Sequence, residues 1–125
     1  MKKNVAVWVL QIAVAAVFLV AALPKLAGVP VMVQMFGALG LGQWFRYFTA
    51  AVEIGGAILL LVPALAGIGA VVLAAVMVGA ILAHTLVLGG SAVPAIVLLA
   101  ATITIAWFRI QQAPSRVPGL IQTQA

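Results

Sequence analysis

VAVWVLQIAVAAVFLVAAL, residues 5–23, decides the fold. The stretch carries no charge and, besides the indole N–H of Trp8, one side chain that could hydrogen-bond, Gln11. A hydrocarbon core about 30 Å thick is crossed by roughly 20 apolar residues in a helix. A secretory signal has a shorter apolar centre, about 7–15 residues. The expectation is therefore an uncleaved membrane span, preceded by Lys2, Lys3 and Asn4.

The rest of the chain reads the same way. Of 125 residues, 67% are hydrophobic and 6% are charged, whereas a soluble domain averages about 25% charged. That composition excludes a soluble globular domain and a disordered chain. Three further spans are predicted at 46–63, 67–88 and 92–108. The segment from Gly28 to Phe45 is too short and glycine-rich to cross. It reads as a short interfacial helix or a re-entrant turn, with Pro30 able to stand first in a helix. Trp44, Phe45, Tyr47 and Phe48, and again Trp107 and Phe108 beside Arg109, suit the headgroup zone. Residues 111–125 are polar, carry Pro114 and Pro118, and read as a flexible tail. The predicted fold is all-α: an integral membrane four-helix bundle over residues 1–110, with an interfacial segment between helices 1 and 2.

The net charge is +5, but the six cations are scattered and make no clustered basic face for nucleic acid. They serve better as topology signals and lipid contacts. Lys2, Lys3, Arg109 and Arg116 fall on one side of the predicted spans, Lys25 and Arg46 on the other. The positive-inside rule then puts both termini in the cytoplasm, in a multi-pass protein of the inner (plasma) membrane. There is no cysteine, which excludes disulfides, iron–sulfur clusters and thiolate zinc. With a single histidine, His84, one chain holds neither a bis-histidine haem nor a multi-histidine metal site. No cofactor is encoded, and little remains from which to build an enzyme acting alone.

An ionisable side chain inside a membrane is costly and marks a candidate site. Glu53, the single acid, lies inside the predicted second span. It must either take a proton or find a cation. Antiparallel spans bring Lys25, Arg46 and His84 to a similar depth in the outer half. Arg46 is two turns from Glu53 on nearly the same face, and Thr49 is one turn from it. Gln11 and Lys25 share a face of span one within about 40°. These residues predict a polar pocket open toward the outer side, floored by small residues, in which Lys25, Arg46, Glu53 and His84 bind a ligand or relay protons.

Each has a plainer reading beside that one. Glu53 can be a counter-ion that fixes helix register. His84 can be a neutral interfacial histidine bonded to a carbonyl, and Lys25 and Arg46 can snorkel to phosphates. Gln11 reads as an interhelical hydrogen-bond former. Gly55 and Gly56, and the row Ala75, Gly79 and Ala83, would let helix backbones approach closely, although a chain this rich in alanine and glycine produces such rows by chance.

Three stretches together resemble one family. Leu23-Pro24-Lys25-Leu26-Ala27-Gly28 is similar to the lysine–leucine motif closing the first span of the DoxX-like family of small bacterial membrane proteins. Ala51-Val52-Glu53-Ile54-Gly55-Gly56 resembles its glutamate–glycine–glycine second span. Val78-Gly79-Ala80-Ile81-Leu82-Ala83-His84 resembles its third span, which ends in histidine. The likeness covers about residues 5–108 in order and spacing. It implies a four-helix membrane bundle and family positions at Lys25, Glu53, Gly55, Gly56 and His84. The family takes its name from a membrane subunit associated with a thiosulfate:quinone oxidoreductase. Membership therefore implies a quinone as ligand and a redox protein as partner.

Three functions compete at this stage. The first is a membrane subunit of a quinone-linked redox or oxidative-stress complex, holding a small amphiphile in the outer pocket. The second is a non-enzymatic scaffold or assembly factor in which the Glu53 pair only locks the bundle. The third is a proton-coupled transporter of small cations. The bilayer is a partner in all three, and a homo-oligomer is open to each.

Overall fold

The computed structural model describes residues 2–112, with backbone only at Lys2, Lys3 and Gln112. The expected tail at 111–125, and with it Arg116, therefore falls almost wholly outside the described residues. The chain builds α1 (Lys2–Ala27), α2 (Pro30–Leu39), α3 (Trp44–Leu61), α4 (Ala66–Ala83) and α5 (Val93–Gln112). A short 3₁₀ turn, Pro63–Leu65, leads into α4, and a π-turn, His84–Leu88, continues it. Four of these segments are long and apolar enough to cross a membrane, and α2 is not. No strand occurs among the described residues. The chain is an all-α membrane bundle with a short helix between the first two spans, as its sequence predicts.

Lipid explains why helices are the solution. No water in the bilayer core can bond a stray amide, so each span closes its own ladder. The same constraint corrects the expected end of the first span at Pro24. The helix runs through that proline to Ala27, because in hydrocarbon the flanking amides have no better place than the helix. It stops at Gly28, where φ is +70°, and the Gly28 and Val29 amides both donate to the Pro24 carbonyl. Pro30 then stands at the start of α2, where its missing N–H costs nothing. Helix α3 begins two residues earlier than predicted and ends two earlier, which moves Glu53 to the middle of its helix rather than its outer third. Helix α5 starts one residue late, with the Val93 amide donating to Ser91 Oγ.

The helices pack in the order α1, α3, α4, α5, and α1 touches α5 only lightly. One face of each is buried. On α1 it runs Val7, Gln11, Val14, Phe18 and Ala22; on α3, Arg46, Ala50, Glu53, Ala57 and Leu60. The opposite faces present valine, isoleucine and leucine outward, as a lipid-facing surface requires. The α2 helix lies across the loop end of the bundle, the end away from the termini. Phe36 of α2 packs on Phe45 at 6.0 Å between ring centroids, and Phe45 stacks on Phe48 at 6.0 Å. That ring cluster fastens α2 to the start of α3.

Glycines set the closest approach, between α3 and α4. A Cβ on Gly69 would come within 2.7 Å of the Leu60 nitrogen and 2.8 Å of the Gly56 oxygen. A Cβ on Gly56 would meet the Leu73 side chain at 2.7 Å. At Gly55 and Gly79 nothing lies within 4 Å, so neither makes a close contact within one chain. Gly69→Ala is expected to lose about 1–3 kcal/mol, because backbone must yield to the new methyl group. Gly79→Ala is expected to gain up to about 1 kcal/mol from helix propensity. Reversible denaturation in mixed micelles measures both.

Candidate functional site

The two arms nearest Glu53 diverge for a geometric reason. Helical side chains lean toward the N-terminus of their own helix. Lys25 sits at the loop end of α1, so its arm leans back into the bundle. Arg46 sits at the start of α3, so its arm leans out, away from Glu53 on the same helix. The structure follows that rule. Lys25 Nζ stands 3.1 Å from Glu53 Oε1 and donates to the Ala21 carbonyl at 3.1 Å. The Glu53 side chain is 3% exposed and that of Lys25 15%, so the pair is held inside the bundle. Oε1 has no aligned hydrogen-bond donor; charge, more than direction, holds the contact.

Arg46 departs from the expectation that it would reach Glu53. It is buried, but its guanidinium donates to the Lys25 carbonyl and, through Nε, to Gln43 Oε1 at 2.9 Å. Its guanidinium carbon also lies 4.3 Å from the Tyr47 ring centroid. Gln43 in turn donates to the Val33 carbonyl of α2 at 3.1 Å. A cation over the last carbonyls of α1 satisfies both an orphan acceptor and the negative end of the helix dipole. Arg46 is thus a cap that ties α1, α2 and α3 together at the loop end, and it does not line the cavity described next.

Glu53 and Lys25 line a half-enclosed cavity of about 700 Å³ between α2, α3 and α4. His84 and Thr49 are its other polar side chains with ring nitrogen or hydroxyl, and the remaining lining is apolar, with Phe36, Phe45, Phe48 and Met77 among it. His84 Nδ1 lies 2.9 Å from the Ala80 carbonyl. A carbonyl only accepts, so Nδ1 donates. Thr49 donates to the Phe45 carbonyl at 2.8 Å. Ala75, Gly79 and Ala83 also line the cavity. The small-residue row expected to pack against a helix instead opens space beside Glu53. Three of the four predicted polar residues therefore border one space, and Arg46 stands apart.

A second polar cluster was not singled out as a site by sequence. Gln11 is fully buried. It donates through Nε2 to the Leu60 carbonyl at 2.7 Å and accepts from Arg109 Nε. Arg109, also buried, donates to Asn4 Oδ1 at 2.7 Å and lies 5.4 Å from the Trp8 ring centroid. This cluster joins α1, α3 and α5 at the terminal end. Arg109 reads in sequence as a topology signal beside an aromatic pair. The signal that could have found it was Gln11, which needs a polar partner from another span. Among the described residues no group of three histidine, cysteine, aspartate or glutamate side chains comes together to hold a metal.

Comparison with known proteins agrees with this architecture. The model of the DoxX-like family matches residues 9–107, a range that takes in Lys25, Glu53, the cavity and His84. No curated protein and no solved structure matches the chain.

Proposed function

The chain belongs to the DoxX-like family, and from that premise we propose that it is the membrane subunit of a quinone-linked redox complex, holding the ring of a small amphiphile in the cavity beside Glu53. One observation carries the reading: a buried carboxylate–ammonium pair faces an apolar space of about 700 Å³. Ligand pockets of roughly 300–1,000 Å³ that are mostly apolar with a few convergent polar groups are the usual form of a small-molecule site. Aromatic and methionine side chains suit a flat ring. Lys25 can donate to one quinone carbonyl, and Glu53 can accept a hydroxyl proton once the ring is reduced. Electrons come from a partner protein, since this chain encodes no redox centre. With both termini cytoplasmic, as the positive-inside rule places them, the cavity lies in the outer half of the inner membrane.

The test is binding of a short-tailed benzoquinone to the purified protein, followed by calorimetry. Saturable binding is expected, and binding of the reduced, dihydroxy form should weaken about tenfold or more in Glu53→Gln, since only that form has hydroxyls to donate to the carboxylate and hydrogen bonds to charged groups are worth about 1.5–3 kcal/mol. Absence of saturable binding, or a Glu53→Gln protein indistinguishable from the parent, would overturn the reading. A second reading has its own support. The pair closes on itself and ties α1 to α3, which is what a scaffold would need. Recovery of a stable partner from native membranes, with Glu53→Gln unaltered in quinone binding, would favour that scaffold.

A further inference from the structure

Next to the inner cavity lies a second, shallower space of about 340 Å³, open to the loop-end surface. Gln34 of α2 and Ser91 of the α4–α5 loop give it polar walls. Three side chains border both spaces: Met35, His84 and Leu88. They form the partition. Two of the three sit on the π-turn, whose defining bond runs from the Gly89 amide to the His84 carbonyl at 2.8 Å. Gly89 and Gly90 follow it with φ of +71° and +74°, conformations that suit glycine. A π-turn is a local departure from the α-helix that recurs at functional sites.

The inner cavity has another approach. Ala75 and Gly79, which line it, are exposed on the lipid face of α4. An apolar ligand can enter there without meeting water. Water cannot take that route through the hydrocarbon. His84 is the polar member of the partition, and the titratable groups bordering the two spaces are Lys25, Glu53 and His84.

We propose that the shallow space is the aqueous entrance to the inner cavity, and that His84, Met35 and Leu88 form a door between them. Water and the protons it carries reach Glu53 from the loop-end surface, while an apolar ligand arrives sideways from lipid. Met35 and Leu88 supply the bulk that keeps the door closed. The His84 ring gives a crossing water a hydrogen-bonding partner within the wall. The division of routes rests on the ligand reading above; the door itself rests only on the two cavities.

The absence of cysteine makes the test direct. Single cysteines are introduced at Ser91 in the entrance and at Thr49 in the inner cavity, in protein held in lipid nanodiscs without quinone. Labelling by a charged, membrane-impermeant methanethiosulfonate is timed. Ser91→Cys is expected to label fast and Thr49→Cys at least tenfold slower. Adding Met35→Ala or Leu88→Ala should speed Thr49→Cys about tenfold and leave Ser91→Cys unchanged. Val72→Ala, which enlarges the inner cavity about three turns along α4 from the partition, should not speed it. His84→Leu should slow Thr49→Cys, and His84→Gln should restore the parental rate. Equal rates at the two cysteines, or a Thr49→Cys rate indifferent to Met35→Ala and Leu88→Ala, would overturn the door. An unaltered helical circular-dichroism spectrum and elution volume check that each variant is folded. Because no quinone is present, failure of the quinone reading leaves this result standing, and the reverse holds too.

Discussion

Lys25→Met is expected to destabilise the bundle by about 3–5 kcal/mol, the usual cost of stranding one member of a buried ion pair. Glu53 is 2% exposed and its short arm is anchored in mid-helix, so its carboxylate cannot swing to the interface as a lysine can. The reverse substitution is milder. In Glu53→Gln the Lys25 ammonium, already partly exposed near the end of α1, can swing toward the interface and keep its hydration. A loss nearer 1 kcal/mol is expected. The double variant Lys25→Met/Glu53→Leu should recover most of the stability, because a well-packed apolar pair often equals or exceeds a buried ion pair. Denaturation of the parent, Lys25→Met, Glu53→Leu and the double variant in mixed micelles gives the coupling energy directly. If the double variant is no better than Lys25→Met, packing and not charge governs the site.

That cycle also separates stability from function. A double variant that folds as well as the parent but binds no benzoquinone assigns the pair to the ligand. One that folds and still binds assigns it to the bundle. The milder Glu53→Gln protein remains usable in the binding test for the same reason: it is expected to fold.

Much of the fold was legible because lipid leaves few choices. An apolar run such as 5–23 can only be a helix once it is in a bilayer, and Pro30 announces the start of α2. Span ends were less legible. Pro24 is a helix breaker in water but is absorbed three residues before the end of α1, and sequence alone does not weigh that difference. The candidate site was legible in depth and not in direction. Antiparallel order places Lys25, Arg46, Glu53 and His84 near one another. Only the lean of side chains along each helix decides that Lys25 turns in and Arg46 turns out. The glycines show the same limit. Gly55, Gly56 and Gly79 look alike in sequence, yet only Gly56 meets a neighbouring side chain closely, and Gly69, which separates two backbones, carries no mark to set it apart.

Gln11→Leu is the substitution for which a comparable loss is expected at the other end of the bundle, about 3 kcal/mol or more. Leucine matches the volume of glutamine closely enough to fill the space, so the effect is one of unmet polarity. The Leu60 carbonyl loses its donor from Gln11 Nε2, and Arg109 Nε loses its acceptor. An unsatisfied buried polar group costs about 1–3 kcal/mol, and more where a charge is involved. Around Arg109 the environment is tight: the residue is 3% exposed, donates to Asn4 Oδ1 as well and lies near the Trp8 ring. The loss should therefore exceed that of Asn4→Ala, whose side chain is on an exposed residue that water or headgroups can replace. Removing both partners, in Gln11→Leu/Arg109→Leu, should recover part of the loss but not all, since the Leu60 carbonyl still lacks its donor. Quinone binding should follow stability alone in these variants, because the cluster lies at the opposite end from the cavity. A Gln11→Leu protein that is as stable as the parent would mean that water reaches this end of the bundle and the cluster is not sealed.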